Sequence, residues 1–176
     1  MSPTSTSTST LATSILTTAF LAGLALVPSA HAANACDALY NAGIKSIQTP
    51  HHVYSATTMH GGTPHTGEAI YDGTAEYLQI RGKWMRSPMP QAAMVAAAQE
   101  KLKTHPDTCT PVGDQVIDGQ AVSVYTAHNN ELGTNQTVRI FKSNGLMQGG
   151  TVALPGGNTI ETRYEYTNVQ TPAGVQ

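Results

Sequence analysis

The spacing of apolar residues predicts two helices separated by a run of short strands. Over residues 34–47 apolar side chains recur on one side at helical spacing, and Pro50 ends the pattern. Residues 91–103 are rich in alanine, place their charged residues off the apolar face and end before Pro106. We therefore expect an N-terminal helix and a middle helix.

A period-two alternation over residues 51–60 and 65–71 predicts the first β-hairpin. The Gly-Gly-Thr-Pro segment between them supplies its loop. If this loop closes the hairpin symmetrically, His60 faces His65 and Tyr54 pairs with Tyr71.

A second hairpin is predicted around the dipeptide Gly82-Lys83. Glycine at the first central position favours a type II′ turn, here between strands at residues 74–81 and 84–86. This register places Arg81 beside Trp84, within reach of a cation–π contact.

Downstream of the middle helix the pattern is all strand. Asp118-Gly119 and Asn144-Gly145 are dipeptides that favour hairpin turns. Strands are predicted at residues 111–117, 120–128, 136–142, 146–154 and 159–168. The whole pattern predicts the α+β class, with a curved antiparallel sheet of about eight to nine strands and both helices packed on its concave face.

Residues 1–32 have the pattern of a secretory signal peptide. They contain no Lys, Arg, Asp or Glu, and an apolar run over residues 11–27 precedes the small residues Ala30 and Ala32. We expect cleavage between Ala32 and Ala33, which leaves residues 33–176 as one domain in the periplasm or secreted. A membrane anchor is the alternative, but the run is shorter than a bilayer span, so no stable span is expected after cleavage.

The two cysteines, Cys36 and Cys109, allow one intramolecular disulfide in an oxidising compartment. Such a bridge would stabilise the fold by roughly 4 kcal/mol in the chain-entropy model. Lipidation of Cys36 is the alternative, but the residues before it resemble a lipoprotein signal poorly.

Composition and motifs exclude several function classes. The net charge is −2 and 11% of residues are charged, so the chain lacks the basic surface that nucleic acids require. The sequence contains no nucleophile elbow, P-loop, dinucleotide fingerprint, zinc-protease motif or redox Cys pair. We therefore predict no catalytic residue and no cofactor.

Aromatic and methionine side chains are the candidate ligand-lining residues. Tyrosine combines an apolar ring with a polar tip and methionine adapts its shape, so a sheet lined by both suits an apolar ligand. For any single residue core filling is the favoured alternative, and the lining hypothesis applies to the set. The candidates are Tyr54, Met59, Tyr71, Trp84, Met85, Tyr125, Tyr164 and Tyr166.

His60 and His65 are weak candidates for a metal site. Two facing imidazoles can share a Zn or Cu ion, but protein zinc sites normally have at least three ligands, and the local pairing supplies no third. We expect no metal.

The order of elements, with residues 77–84 (YLQIRGKW) ending a strand pair and residues 163–166 (RYEY) ending the last strand, resembles the LolA/LolB-like group of periplasmic proteins. That resemblance covers most of the mature chain in layout and implies a curved antiparallel sheet wrapped over helices. Better-known members of the group carry lipoprotein acyl chains.

Three hypotheses for function follow. The first is an exported, non-catalytic binding protein that holds a small apolar ligand or lipid. The second is a secreted inhibitor or immunity-type protein that binds an envelope protein through a hairpin such as residues 61–65. The third is an enzyme with a histidine-based site.

Overall fold

A computed structural model describes residues 30–60, 62–104 and 107–176, with side chains described from Ala35 onward except that of Thr104. Residues 1–29 of the expected leader, together with Gly61, His105 and Pro106, lie outside the described residues. The expected cleavage point between Ala32 and Ala33 falls near the start of the first helix. Its cleavage stays a prediction.

The described residues form two helices and nine strands. The helices are α1 (Ala30–Gln48) and α2 (Gln91–Thr104). The strands are β1 (His51–Thr58), β2 (His65–Tyr71), β3 (Glu76–Ile80), β4 (Lys83–Arg86), β5 (Thr108–Ile117), β6 (Gln120–Asn129), β7 (Thr134–Phe141), β8 (Met147–Ala153) and β9 (Thr159–Glu165). A short 3-10 turn, Pro155–Gly157, precedes β9.

All nine strands belong to one open antiparallel sheet, in the order β4-β3-β2-β1-β9-β8-β7-β6-β5. Strands that follow each other along the chain are also adjacent in the sheet, except β4 and β5, which form its two edges. The sheet is joined in the middle by the pairing of β1 with β9. The predicted α+β class, with an N-terminal and a middle helix, is confirmed.

The core lies between α1 and one face of the sheet. Helix α1 packs against β5 to β8, and α2 packs mainly against α1. The middle helix therefore covers the sheet less directly than predicted. Two clusters of buried side chains lie under α1: Ala35, Cys36, Cys109 and Ala127 in one, and Ala42, Val138 and Ile140 in the other.

The predicted register of the first hairpin is wrong by three residues. His51 pairs with Tyr71, Tyr54 with Glu68, and Thr57 with His65. Strand β1 ends at Thr58, and the loop is asymmetric because the residues after β1 enter a turn. Alternate residues of a strand point to opposite faces of the sheet. A register shift of an odd number of residues therefore places Tyr54 and Tyr71 on opposite faces, where the predicted register placed them on the same one.

The second hairpin turns one residue earlier than predicted. Ile80 pairs with Lys83 and Gln79 with Trp84, so the turn is Arg81-Gly82, with φ of 51° and 76°. Positive φ at both central residues is the type I′ turn, which matches strand twist. The expected proximity of Arg81 to Trp84 is therefore wrong.

Candidate functional site

A cavity of about 300 Å³ lies between the two helices and strands β1, β2, β3 and β9. Small and apolar residues form much of its wall: Gly43, Ile47, Val53, Ala69 and Met94. The polar residues in the wall are Ser46, His51, Tyr71, Glu76 and Tyr164. The strand pairings bring these side chains to one face, because Val53 pairs with both Ala69 and Tyr164.

His51 lies at the centre of an aromatic cluster. Its ring centroid is 5.9 Å from that of Tyr71, 5.5 Å from Tyr164 and 6.1 Å from Tyr166. The Nδ1 atom lies 2.7 Å from the carbonyl oxygen of Thr49, so Nδ1 carries the proton that it donates. Burial lowers the pKa of His51, and the neutral ring is therefore favoured.

The two tyrosines that line the cavity are also perturbed by burial. Burial raises the pKa of Tyr71 and of Tyr164 above the ordinary value, so both phenols keep their protons at neutral pH. Protonated phenols and a neutral imidazole present aromatic surface and polar atoms without formal charge. Glu76 is the one acidic side chain of the wall.

Ser46 ties α1 to the sheet beside this cavity. The hydroxyl of Tyr166 lies 2.9 Å from Ser46 Oγ and 2.8 Å from the carbonyl oxygen of Met147, while the amide of Met147 donates to Ser46 Oγ at 2.9 Å. A phenol has one proton, so when Tyr166 donates to the carbonyl, Ser46 donates to Tyr166. Both hydroxyls thus take part in holding α1 to the sheet.

Helix α2 covers one side of the cavity. Gln91 at its start donates a side-chain hydrogen bond of 3.0 Å to the carbonyl of Ile47, near the end of α1. Met94 reaches the cavity, yet no side chain over residues 91–103 is buried. Because no side chain over residues 91–103 is buried, we expect α2 to open at lower cost than the core strands.

The opposite face of the sheet carries a separate aromatic and charged surface. His52 stacks on Tyr54 with centroids 4.1 Å apart and forms a 2.9 Å contact with Glu68. Arg163 lies over the Tyr54 ring at 5.0 Å from its centroid and pairs with Glu165 at 2.9 Å. The ring of Tyr54 therefore contacts both His52 and Arg163, and each of these two residues is paired with a glutamate.

The predicted lining residues do not form one surface. Tyr71 and Tyr164 line the cavity, Tyr166 borders it through His51, and Tyr125 packs under α1. Tyr54 and Trp84 lie on the opposite face, where Trp84 contacts His52 at 6.4 Å between centroids. Met59 and Met85 are exposed.

The two histidines proposed as weak metal ligands are not paired. His65 lies opposite Thr57, and the backbone amide of His60 donates to Asn158. Across residues 30–60, 62–104 and 107–176, no group of three His, Cys, Asp or Glu side chains gathers to hold a metal ion.

The predicted disulfide is present and joins α1 to an edge strand. Cys36 and Cys109 are bonded across a separation of 73 residues, and both are buried. Nearby, Tyr40 donates to Asp107 at 2.9 Å, and burial together with this carboxylate raises the pKa of Tyr40 to about 12. The N-terminal part of α1 is therefore fixed beside β5.

Sequence reasoning missed several residues of the cavity. His51 was assigned only to a strand, and the importance of Ser46, Gly43 and Glu76 depends on contacts between distant segments. The alternation of side chains along a strand was the one usable sequence signal. Once His51 is paired with Tyr71, Val53 and Ala69, two residues further along each strand, must lie on the same face of the sheet as His51.

Solved structures with a similar layout include three proteins. MucB matches at 15% identity over 81% of this chain, with a TM-score of 0.47. LprF from Mycobacterium bovis matches at 11% identity over 81% of this chain and 98% of LprF, with a TM-score of 0.43. LolA superfamily protein NE2245 from Nitrosomonas europaea matches at 8% identity over 74% of this chain and 91% of its own, with a TM-score of 0.31.

These likenesses say nothing about what this chain binds. The chain spans 64% of the length of MucB, and MucB has also been crystallised in complex with MucA(peri), a match at 14% identity. One of the matched proteins belongs to the LolA superfamily, the fold group that the sequence layout resembles. No protein-family model matches the chain, and no curated protein is similar to it. Neither α1 nor α2, as described, is long and apolar enough to cross a bilayer.

Proposed function

We propose that this protein is an exported, non-catalytic binding protein that holds a small apolar ligand between its helices and its sheet. The observation that carries the proposal is the cavity of about 300 Å³. Its volume is at the lower end of the range for small-molecule sites, which are mostly apolar with a few placed polar groups.

The chemistry of the wall favours an uncharged ligand. Ile47, Val53, Ala69 and Met94 offer aliphatic surface, and Tyr71 and Tyr164 offer ring faces. The lowered pKa of His51 and the raised pKa of both tyrosines keep these groups neutral near pH 7. A ligand with an apolar body and one polar group, placed near Glu76 or His51, satisfies these surfaces.

Export is part of the proposal and is supported by two features. The leader has the composition of a cleaved signal peptide. The bond between Cys36 and Cys109 is of the kind that persists in oxidising compartments. We infer a periplasmic or secreted protein.

The test is to recover the ligand. Purified protein is examined by native mass spectrometry and by solvent extraction, and its melting temperature is measured across a panel of lipids and small apolar compounds. A ligand at about a hundred times its Kd should stabilise the protein by about 2.7 kcal/mol. Protein that is repeatedly empty and whose melting temperature no compound changes would overturn the proposal.

Gly43 offers a matched pair of variants. A Cβ at this position meets no atom within 4 Å, so a larger side chain can enter the open space. We expect Gly43→Leu to occupy the cavity and abolish ligand binding, and Gly43→Ala to leave most of it. The competing function, inhibition of an envelope protein, instead predicts that stoichiometric protein capture from envelope extract survives Gly43→Leu.

A further inference from the structure

The hairpin of β3 and β4 carries a local excess of positive charge. Arg81, Lys83 and Arg86 are all exposed, and the stretch from residue 77 to residue 99 contains no Asp or Glu. Within the described part of the chain, none of these three cations forms an ion pair. A protein of net charge −2 therefore presents one cationic surface at an edge of its sheet.

Large apolar side chains are exposed among these cations. Ile80 is 49% exposed, Met85 is 45% exposed, and Met89, just beyond β4, is 52% exposed. The pairings Ile80 with Lys83 and Leu78 with Met85 place Ile80, Lys83 and Met85 on one face of the hairpin. Exposed apolar groups that cluster in this way mark interaction surfaces more often than isolated ones do.

The turn itself contains a residue that its geometry does not favour. Arg81 adopts a φ of 51° beside Gly82 at 76°, and Asp118 and Gly119 adopt the same two values at the next type I′ turn. Asp is among the residues that tolerate this left-handed conformation, whereas Arg is not. The geometry of the turn alone thus does not explain why a cation stands at this exposed position.

We infer that this hairpin, defined by Ile80, Arg81, Lys83, Met85 and Met89, docks the protein onto the surface of an anionic phospholipid bilayer. Cations approach the lipid phosphates while the neighbouring apolar side chains enter the boundary of the acyl region. The inference goes beyond the proposed function and does not depend on what fills the cavity.

A bilayer fits this surface better than an acidic protein does. The apolar and cationic side chains belong to a few residues around a two-residue turn, whereas a stable protein interface engages a broad, complementary area. Long cationic side chains can reach the headgroups while their aliphatic stems cover apolar surface.

Vesicle binding tests the inference directly. Purified protein is sedimented with vesicles of phosphatidylglycerol mixed with phosphatidylcholine and, in parallel, with phosphatidylcholine alone. We expect binding to the anionic vesicles only, weakened by added salt because screening reduces the attraction.

Two variants separate charge from apolar insertion. Arg81→Asn with Lys83→Gln removes two cations while placing a favoured residue in the turn, and should lower vesicle partitioning about thirty-fold, since each cation contributes roughly five-fold. Ile80→Ser with Met85→Ser should weaken binding while retaining its salt dependence. The control, Lys101→Gln with Lys103→Gln, changes the net charge equally on exposed α2 and should bind like the parent.

Three outcomes would overturn the inference. The first is equal sedimentation with both kinds of vesicle, and the second is equal loss in the hairpin variant and the α2 control. The third is absence of vesicle binding together with capture of an acidic protein through Arg81 and Lys83. None of these outcomes bears on the cavity, because the Gly43 variants test that site separately.

Discussion

The hydroxyl of Tyr166 and the Oγ of Ser46 lie 2.9 Å apart, so a residue just beyond β9 is joined to α1 across 120 positions of sequence. Ser46 is 2% exposed, and Met147 completes the network. Burial raises the pKa of Tyr166 well above its usual range, which keeps the phenol protonated and able to donate.

Removing either hydroxyl should destabilise the protein. We expect Ser46→Ala to cost about 1–3 kcal/mol, because the partly buried amide of Met147 loses its acceptor. Tyr166→Phe should cost a similar amount, measured by urea unfolding. In the double variant the losses should be less than additive, since both hydroxyls belong to one network. Fully additive losses would contradict the shared network.

The disulfide should make a large contribution to stability. Replacing Cys36 and Cys109 with serine should reduce the free energy of unfolding by roughly 4 kcal/mol, because the open chain regains loop entropy over 73 residues. Urea unfolding with and without reductant measures the effect. The parent should respond to reductant and the double serine variant should not; a parent midpoint that is insensitive to full reduction would refute the prediction.

Stability should fall when the pH drops below about 6.5, the ordinary histidine pKa. Burial lowers the pKa of His51 in the folded state, so the unfolded chain binds a proton first as the pH falls. The contribution of His51 to the free energy of unfolding is complete above its pKa in the unfolded chain. It is lost as the pH falls from that value to the lower pKa of the folded protein. Urea unfolding near pH 7.5 and near pH 5.5 measures this slope.

The control for this pH dependence is a histidine on the surface. We expect His51→Gln to reduce the pH slope of stability, whatever its effect on stability itself, while His65→Gln at an exposed strand end retains the slope. Equal slopes in the parent and in His51→Gln would assign the pH dependence to other groups.

The same glycine-to-alanine change should have opposite effects at two positions. A Cβ on Gly150 would clash with the backbone carbonyl of Thr137, so Gly150→Ala should cost about 2 kcal/mol or more. Gly43 lies within α1 in open space, so Gly43→Ala should stabilise by about 0.5–1 kcal/mol. Urea unfolding compares both; a Gly150→Ala variant as stable as the parent would contradict the close approach of β7 and β8.

Local patterns predicted most elements of this fold and some of the site. The helical spacing before Pro50, the alternation in the strands and the Asp118-Gly119 turn each involve residues close in sequence, and the structure confirms those elements. Tyr71 and Tyr164, two of the predicted ligand-lining residues, are in the cavity wall, and their contact with a ligand stays a prediction. The disulfide was also predicted from the sequence, because two cysteines allow only one intramolecular pairing.

The sequence by itself determined which segments become helix or strand, because hydrogen-bonding periods and turn preferences act over a few residues. Only the tertiary structure decided the register of β1 with β2, and hence that Tyr71 faces α1 while Tyr54 faces the opposite side. Loop shape and the burial of His51 against Tyr164 and Tyr166, which are distant in sequence, set that register. A shift of an odd number of residues reverses every side chain, so the composition of the cavity depends on contacts that local patterns do not encode.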